Sequence, residues 1–248
     1  MGQHYLNDAS VVDLMISLAA VKQGERVLEI GTGRGALTKK LVGLNSRVEG
    51  YEIDTESFEW LTRELAGAPL VLHNEDAFES SPAFDVLLSS LPYSESSHFV
   101  EWLSRSRYDR VVVLLQRDFA EKITATPGTS AYRAVSVISQ ASAQVEVVSE
   151  VGRRSFDPPP RVDSCLVTMR WKRTLSAGEI AMIKRIFSQK RRTVRAALKN
   201  LGLLAPPSAA PPGENALLQC RVNSLRPDSV LAMVGVLARA DQSLDGRA

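Results

Sequence analysis

The sequence predicts an α/β protein: a mostly parallel sheet covered by helices on both faces, followed by a small helical domain. Three observations carry this expectation. Compact apolar runs alternate with helix-like stretches from residue 8 to about 115, the pattern of strand–helix–strand units rather than of hairpins. Beyond Gln116 the chain becomes rich in β-branched residues. From Leu175 the periodicity turns helical.

The elements follow in order. ASVVDLMISLAAV reads as a helix and RVLEIG as a compact apolar strand. GALTKKLVGL reads as a helix, RVEGYEID as a strand, and TESFEWLTRELAG as a helix capped by Thr55. APLVLHN and FDVLLSS read as strands, HFVEWLSR as a helix and RVVVLLQ as a strand. AYRAVSVISQASAQVEVVSEV begins helical and ends as a strand, and SCLVTMRW is another strand. SAGEIAMIKRIFSQ and RRTVRAALKNL read as helices, LLAPPSAAPPG as a proline-rich loop, and SLRPDSVLAMVGVLARA as a last helix with Pro227 in its first turn. A boundary near residue 172 divides the chain into domains 1–172 and 173–248.

Composition narrows the class. Apolar residues make up 44% of the 248, ample for a packed core, and no apolar run approaches the ~20 residues of a membrane span. The opening MGQHYLNDAS lacks a basic flank and an apolar signal segment, so export is not expected. Cys165 and Cys220 lie far apart and form no metal-spaced pair, which predicts reduced thiols in a cytoplasmic protein without a metal. The net charge of +2 conceals an asymmetry. Residues 1–150 carry 13 Lys and Arg against 21 Asp and Glu, whereas residues 151–200 carry 13 against 3. A basic block on an acidic body suggests a polyanionic partner for that block.

The chemistry concentrates at strand ends. Glu29-Ile30-Gly31-Thr32-Gly33-Arg34-Gly35 closes the first long strand and opens a helix. Glycines there permit a sharp turn and close approach to a ligand, and the helix N-terminus offers free N–H groups. Glu52, at the end of the next strand, is placed to accept two ribose hydroxyls. Asp76, after the third, is placed to accept an exocyclic adenine amine. Three such acids describe a binder of a nucleoside without pyrophosphate, such as S-adenosylmethionine. Gly31, Gly33 and Ala36 also fit the dinucleotide pattern G-x-G-x-x-A, with Glu52 or Asp54 on an NAD ribose, although no hydride-transfer constellation accompanies them.

Ser90-Leu91-Pro92-Tyr93 reaches the same edge. Proline keeps Leu91 extended, which frees its carbonyl from sheet pairing, and Tyr93 offers a face for a flat base. This arrangement suits an extruded adenine. Its amine is a weak nucleophile because the lone pair is delocalised into the ring. Acceptors bonded to its N–H groups free that pair for attack on a sulfonium methyl held in line.

Taken together, these segments resemble the small-subunit ribosomal RNA adenine N6-dimethyltransferases, cousins of the erythromycin-resistance 23S methylases. Gln3-His4-Tyr5-Leu6 is similar to the family's opening Gln-Asn/His-Phe-Leu, which closes over the cofactor. Glu29 to Gly35, Glu52 and Asp76-Ala77 fall on its cofactor motifs. Gln116-Arg117-Asp118-Phe119-Ala120-Glu121-Lys122 resembles its Gln-x-Glu-x-Ala-x-Arg. Phe156-Asp157-Pro158-Pro159-Pro160-Arg161-Val162-Asp163-Ser164 matches its Phe-x-Pro-x-Pro-Lys/Arg-Val-Asp-Ser, and Phe187 to Thr193 its basic segment.

The resemblance implies a Rossmann-like S-adenosylmethionine-dependent methyltransferase sheet with a C-terminal helical RNA-binding domain. It implies cofactor binding by Gln3, His4, Leu6, Glu29, Gly31, Gly33, Glu52, Asp76 and Ser90. It implies that Tyr93 and Phe156 sandwich the target base while Leu91 and Ser90 hold its amine. Arg161, Lys190, Arg191, Arg192 and Arg195 are implied to contact RNA phosphates. The implied substrate is a pair of adjacent adenines in small-subunit ribosomal RNA, each methylated twice at N6, with the RNA or a pre-ribosomal particle as partner; a monomer is the simple default for an enzyme acting on so large a particle, and no membrane association is expected. One position departs: the family usually has Asn where this chain has Ser90, and a serine hydroxyl reaches less far. Losing one such contact costs on the order of 2–4 kcal/mol of transition-state stabilisation. That departure motivates an alternative, a weakly catalytic or non-catalytic RNA-binding assembly factor on the same scaffold.

Overall fold

A computed structural model of the chain describes residues 4–44, 46–203 and 214–245. Its strands are β1 (Tyr5–Leu6), β2 (Arg26–Ile30), β3 (Arg47–Tyr51), β4 (Leu70–His73), β5 (Val86–Ser90), β6 (Arg110–Gln116), β7 (Ala143–Val151), β8 (Phe156–Asp157) and β9 (Ser164–Trp171). Its helices are α1 (Ala9–Ala19), α2 (Thr38–Leu41), α3 (Thr55–Glu64), α4 (Ser96–Ser104), α5 (Arg117–Thr124), α6 (Ala134–Ser142), α7 (Ala177–Phe187), α8 (Val194–Asn200), α9 (Glu214–Gln219) and α10 (Pro227–Asp245).

Seven strands form one sheet in the order β4-β3-β2-β5-β6-β9-β7. β2 to β6 are parallel, and β9 runs antiparallel between β6 and β7. β2 pairs with β3 on one side and β5 on the other, so the strand order reverses there. A crevice opens at such a switch point beyond the carboxyl ends of the strands. β5 shows why the sheet is covered on both faces. Leu87 packs with α4, α6 and the C-terminal helices, while Val86 and Leu88 pack with Met15 of α1 and Leu41 of α2. All three β5 residues are fully buried, and each contributes on the order of 2 kcal/mol of apolar transfer. The first of these clusters continues without interruption across residue 172 to Leu175, Ile183 and Val230.

Local signals account for several helix starts. Ser176 and Glu179 form a reciprocal capping box at α7, and Thr193 caps α8 by accepting the Ala196 N–H. Pro227 is the first residue of α10. Several expectations need correction. Asp54, not Thr55, caps α3: its carboxylate accepts the Ser57 N–H at 2.9 Å, while the Thr55 hydroxyl donates to Asn74. The expected helix after the glycine loop is regular only over Thr38–Leu41, because the positive-φ glycines up to Gly35 occupy its first turn. α5 follows β6 with no linker, a helix that the strand-rich reading beyond Gln116 lacked. The short β1–β8 ribbon was also not anticipated, since it joins segments 150 residues apart. The proline-rich loop falls mostly on 204–213, outside the described residues.

Candidate active site

The switch-point crevice is a cavity of about 600 Å³, within the roughly 300–1,000 Å³ of ordinary small-molecule sites. The glycine loop forms one wall. Gly31 donates its N–H to the Tyr51 carbonyl at 2.9 Å, tying the loop to the end of β3. Gly33 has φ +50°, and a Cβ there would stand 3.0 Å from the Tyr5 ring. The loop therefore lies directly under the N-terminal strap.

Two carboxyls of different character line this wall. Glu52 is 6% exposed and locked: Oε2 accepts the Gly33 N–H at 2.7 Å, and Oε1 accepts the Asp54 N–H at 2.9 Å. Glu29 is 1% exposed, and its Oε2 has no hydrogen-bond partner. Burial pushes the Glu29 carboxyl up to about 8; the Thr38 hydroxyl pulls the other way and the nearby Glu52 charge adds to the rise. A buried, unpartnered carboxyl oxygen on a cavity wall is costly unless a ligand completes it. Asp76 is half-buried at the far end, its Oδ1 accepting the Phe78 N–H at 2.8 Å.

The Ser90-to-Tyr93 stretch and Phe156 line the same cavity, with the Ser90 carbonyl and the Pro92 ring next to Gly31 of the glycine loop. Ser89 is fully buried and donates to the Ile30 carbonyl at 2.7 Å, so Ser90 is the hydroxyl left at the cavity. Leu91 is 3% exposed and packs in the core, which fixes the backbone that carries its carbonyl. Tyr93 lies in a short 3₁₀ turn, and its hydroxyl meets Ser164 Oγ at 2.7 Å. Phe156 is 3% exposed on β8, opposite Leu6 of β1. His4 Nδ1 donates to the Pro158 carbonyl at 2.7 Å; a carbonyl only accepts, which fixes the tautomer.

His4, Leu6, Gly31, Gly33 and the three acids thus line one cavity with Ser90, Leu91, Tyr93 and Phe156. Gln3 lies outside the described residues. Arg161, Lys190, Arg191, Arg192 and Arg195 lie away from the cavity lining. Arg161, Arg191, Arg192 and Arg195 are exposed. Lys190 is half-buried and donates to the Ser130 and Tyr132 carbonyls at 3.1 and 3.2 Å. Partial desolvation, with Arg133 and Arg191 nearby, holds its amine below the usual lysine range.

Among the lining residues that sequence reasoning did not nominate are Ile53 and Tyr5. Ile53 is 67% exposed yet lines the cavity beside Glu52; an apolar residue after the acid at a strand end was the available signal. Tyr5 lies under the Arg34 guanidinium, 4.7 Å from its ring centroid, and contacts the Ser57 hydroxyl at 3.3 Å. Among the described residues no cluster of three or more His, Cys, Asp or Glu could hold a metal ion, and no helix is long and apolar enough to cross a membrane.

A parallel sheet closed at one side by an antiparallel strand, with its ligand cavity at the β2/β5 reversal, is the architecture of Rossmann-like methyltransferases. The comparisons are narrower. The family model "Ribosomal RNA adenine dimethylase" matches residues 1–238. A Pyrococcus abyssi protein called probable ribosomal RNA small subunit methyltransferase A is 34% identical over 80% of this chain and 74% of its own length. A Nitrosomonas europaea ribosomal RNA small subunit methyltransferase A is 36% identical over 80% of this chain and 82% of its own. The crystal structure of a Plasmodium falciparum dimethyladenosine transferase superposes with a TM-score of 0.78 at 27% identity, covering 92% of this chain and 95% of that one. The chain belongs to the ribosomal RNA adenine dimethylase family.

Proposed function

We propose that this protein transfers methyl groups from S-adenosylmethionine to the N6 amines of adenines in small-subunit ribosomal RNA. The observation that carries the reading is the single cavity joining Glu52 to Leu91, Tyr93 and Phe156. One end suits a nucleoside and the other a flat base, and a methyl group can cross only if both share one space.

The residues present fit the cofactor. The orphaned Glu29 oxygen and the close-packed Gly33 mark a cradle made for a ligand. Glu52 would take the ribose hydroxyls on the lone pairs left by its two backbone bonds, with Asp76 at the adenine end and the β1 strap above. When bound, the cofactor supplies a methyl group on a positively charged sulfur.

The remaining chemistry belongs to this chain. Tyr93 and Phe156 hold the extruded adenine between two rings, which fixes its plane. The Leu91 carbonyl and the Ser90 hydroxyl accept hydrogen bonds from the amine, which localises its lone pair. Held so, that pair would point at the methyl group that a bound cofactor would supply, the sulfur leaving as a neutral thioether, and the amine would release one proton to water. A second round on the same nitrogen gives the dimethylated base.

RNA is held elsewhere, on the basic segment of residues 173–248. Leu175 donates its N–H to the Ser104 carbonyl at the far end of α4, and Lys184 pairs with Glu101 one turn earlier at 2.8 Å. α7 therefore runs back toward the cavity edge, which supports Arg191, Arg192 and Arg195 as phosphate contacts beside it. Arg161 extends that surface on the loop after Phe156. The expected site of action is the compartment in which ribosomal subunits assemble.

Mass spectrometry of ribosomal RNA fragments tests the reading. Unmodified small subunits incubated with protein and S-adenosylmethionine should gain N6-methylated adenines. Cofactor binding without transfer to any immature subunit would overturn it.

A further inference from the structure

Tyr93 and Ser164 reach each other from different parts of the fold, and the two anchors differ in rigidity. Ser164 is the first residue of β9 and fully buried. It pairs with Gln116 of β6 on one side and Val151 of β7 on the other, so its Cα is held from both flanks. Tyr93 sits in a three-residue 3₁₀ turn between β5 and α4, half-buried and outside the sheet ladder. Short-range bonds hold its backbone, such as the Ser96 hydroxyl donating to the Tyr93 carbonyl at 3.0 Å. The His4 ring flanks the phenol, centroids 6.2 Å apart, and the tilt that remains is set by what holds the hydroxyl at its tip. The 2.7 Å bond to Ser164 fastens that tip, at the longest lever arm available.

The chain leading into Ser164 adds a second constraint. Phe156, the proposed opposite face of the base slot, starts the same stretch, and the loop between them is pinned from the start of α5. The Arg117 N–H donates to the Asp163 carbonyl at 3.1 Å, and the Arg117 guanidinium pairs with Glu150. One short segment thus carries one ring and fastens the other.

We infer that Ser164 is a positioning residue for base transfer into the active site: its hydroxyl sets the tilt of the Tyr93 ring and so the width of the slot facing Phe156. The inference rests on the proposed role of Tyr93. It assigns to Ser164 no contact with substrate or cofactor; the residue acts through Tyr93 alone.

A double-mutant cycle tests it. Ser164→Ala and Tyr93→Phe each remove one end of the bond and keep the ring. Each is expected to lower the single-turnover methyl-transfer rate about five-fold, the scale of one hydrogen bond. The double variant is expected to be no slower than either single one, and cofactor affinity by calorimetry to stay unchanged in all three. Losses that multiply in the double variant would overturn the inference. Tyr93→Phe, at the half-exposed end, reports on the same bond should Ser164→Ala fold poorly.

A second readout needs no turnover. A hairpin RNA fragment carrying 2-aminopurine at a target adenine is bound to each variant, and the difference in emission between wild type and Tyr93→Ala measures stacking on the phenol. Ser164→Ala should move the emission toward the Tyr93→Ala value. Emission equal to wild type, with Tyr93→Ala distinct, overturns the role of Ser164 and leaves that of Tyr93 standing. Equal emission from wild type and Tyr93→Ala overturns both.

Discussion

The Gly33 amide donates to Glu52 Oε2 at 2.7 Å, so the loop after β2 and the acid ending β3 form one rigid unit. The carboxylate is oriented before any ligand arrives, because its other oxygen is held by the Asp54 amide. Pre-orientation removes an ordering cost from binding.

Glu52→Gln should therefore weaken S-adenosylmethionine binding sharply. A carboxamide has one acceptor oxygen and would turn its NH₂ toward one of two backbone N–H groups. Loss of charge-assisted bonds of about 1.5–3 kcal/mol predicts roughly 10- to 100-fold weaker affinity, measurable by calorimetry, and the backbone N–H left facing the NH₂ should lower the thermal midpoint by a few degrees.

Glu29 predicts a pH effect whose sign follows from its raised value. The folded chain keeps a proton on this carboxyl that the unfolded chain has lost above 4.5. The folded state binds more protons between 4.5 and about 8, so this group's contribution falls as pH rises through that window and is fully favourable only below it. Glu29→Gln cannot ionise. Its thermal midpoint should rise relative to wild type by a few degrees between about pH 5 and about pH 8. A cationic ligand favours the ionised form, so cofactor binding near neutral pH should also release a proton from wild type and none from the variant. Calorimetry in buffers of different ionisation enthalpy measures that proton.

Ser90 stands where the family usually has Asn, and its hydroxyl is the one at the cavity because Ser89 is bonded to Ile30. Ser90→Ala should lower kcat about ten-fold, the upper range of one neutral hydrogen bond. Ser90→Asn should restore or exceed wild-type kcat, since the carboxamide oxygen reaches farther toward the amine. Single-turnover rates on unmodified small subunits check both.

The basic segment divides by burial. Lys190 ties the Ser130–Tyr132 loop through two carbonyls, so Lys190→Ala should lower the thermal midpoint by a few degrees. Arg191 and Arg192 are exposed. Replacing both with Ala should leave the midpoint in place and reduce the slope of log affinity against log salt by between about one and two.

The sequence carried the order of elements and the chemistry at each strand end, because both are local. Apolar runs mark strands wherever they are buried, and glycines, proline and carboxylates act within a few residues of their own position. That is why Glu29, Gly31, Gly33, Glu52, Asp76 and Ser90 could be nominated without coordinates and now line one cavity. Tertiary structure decided what depends on distant partners. It paired Tyr5–Leu6 with Phe156–Asp157, turned Ser89 away to Ile30 and left Ser90 at the ligand, engaged Lys190 with a loop sixty residues earlier, and brought the Ser164 hydroxyl to Tyr93. Each of these is a contact between segments that periodicity treats as independent, and a hydrogen bond's partner is fixed by where the packed core delivers it, not by its neighbours along the chain.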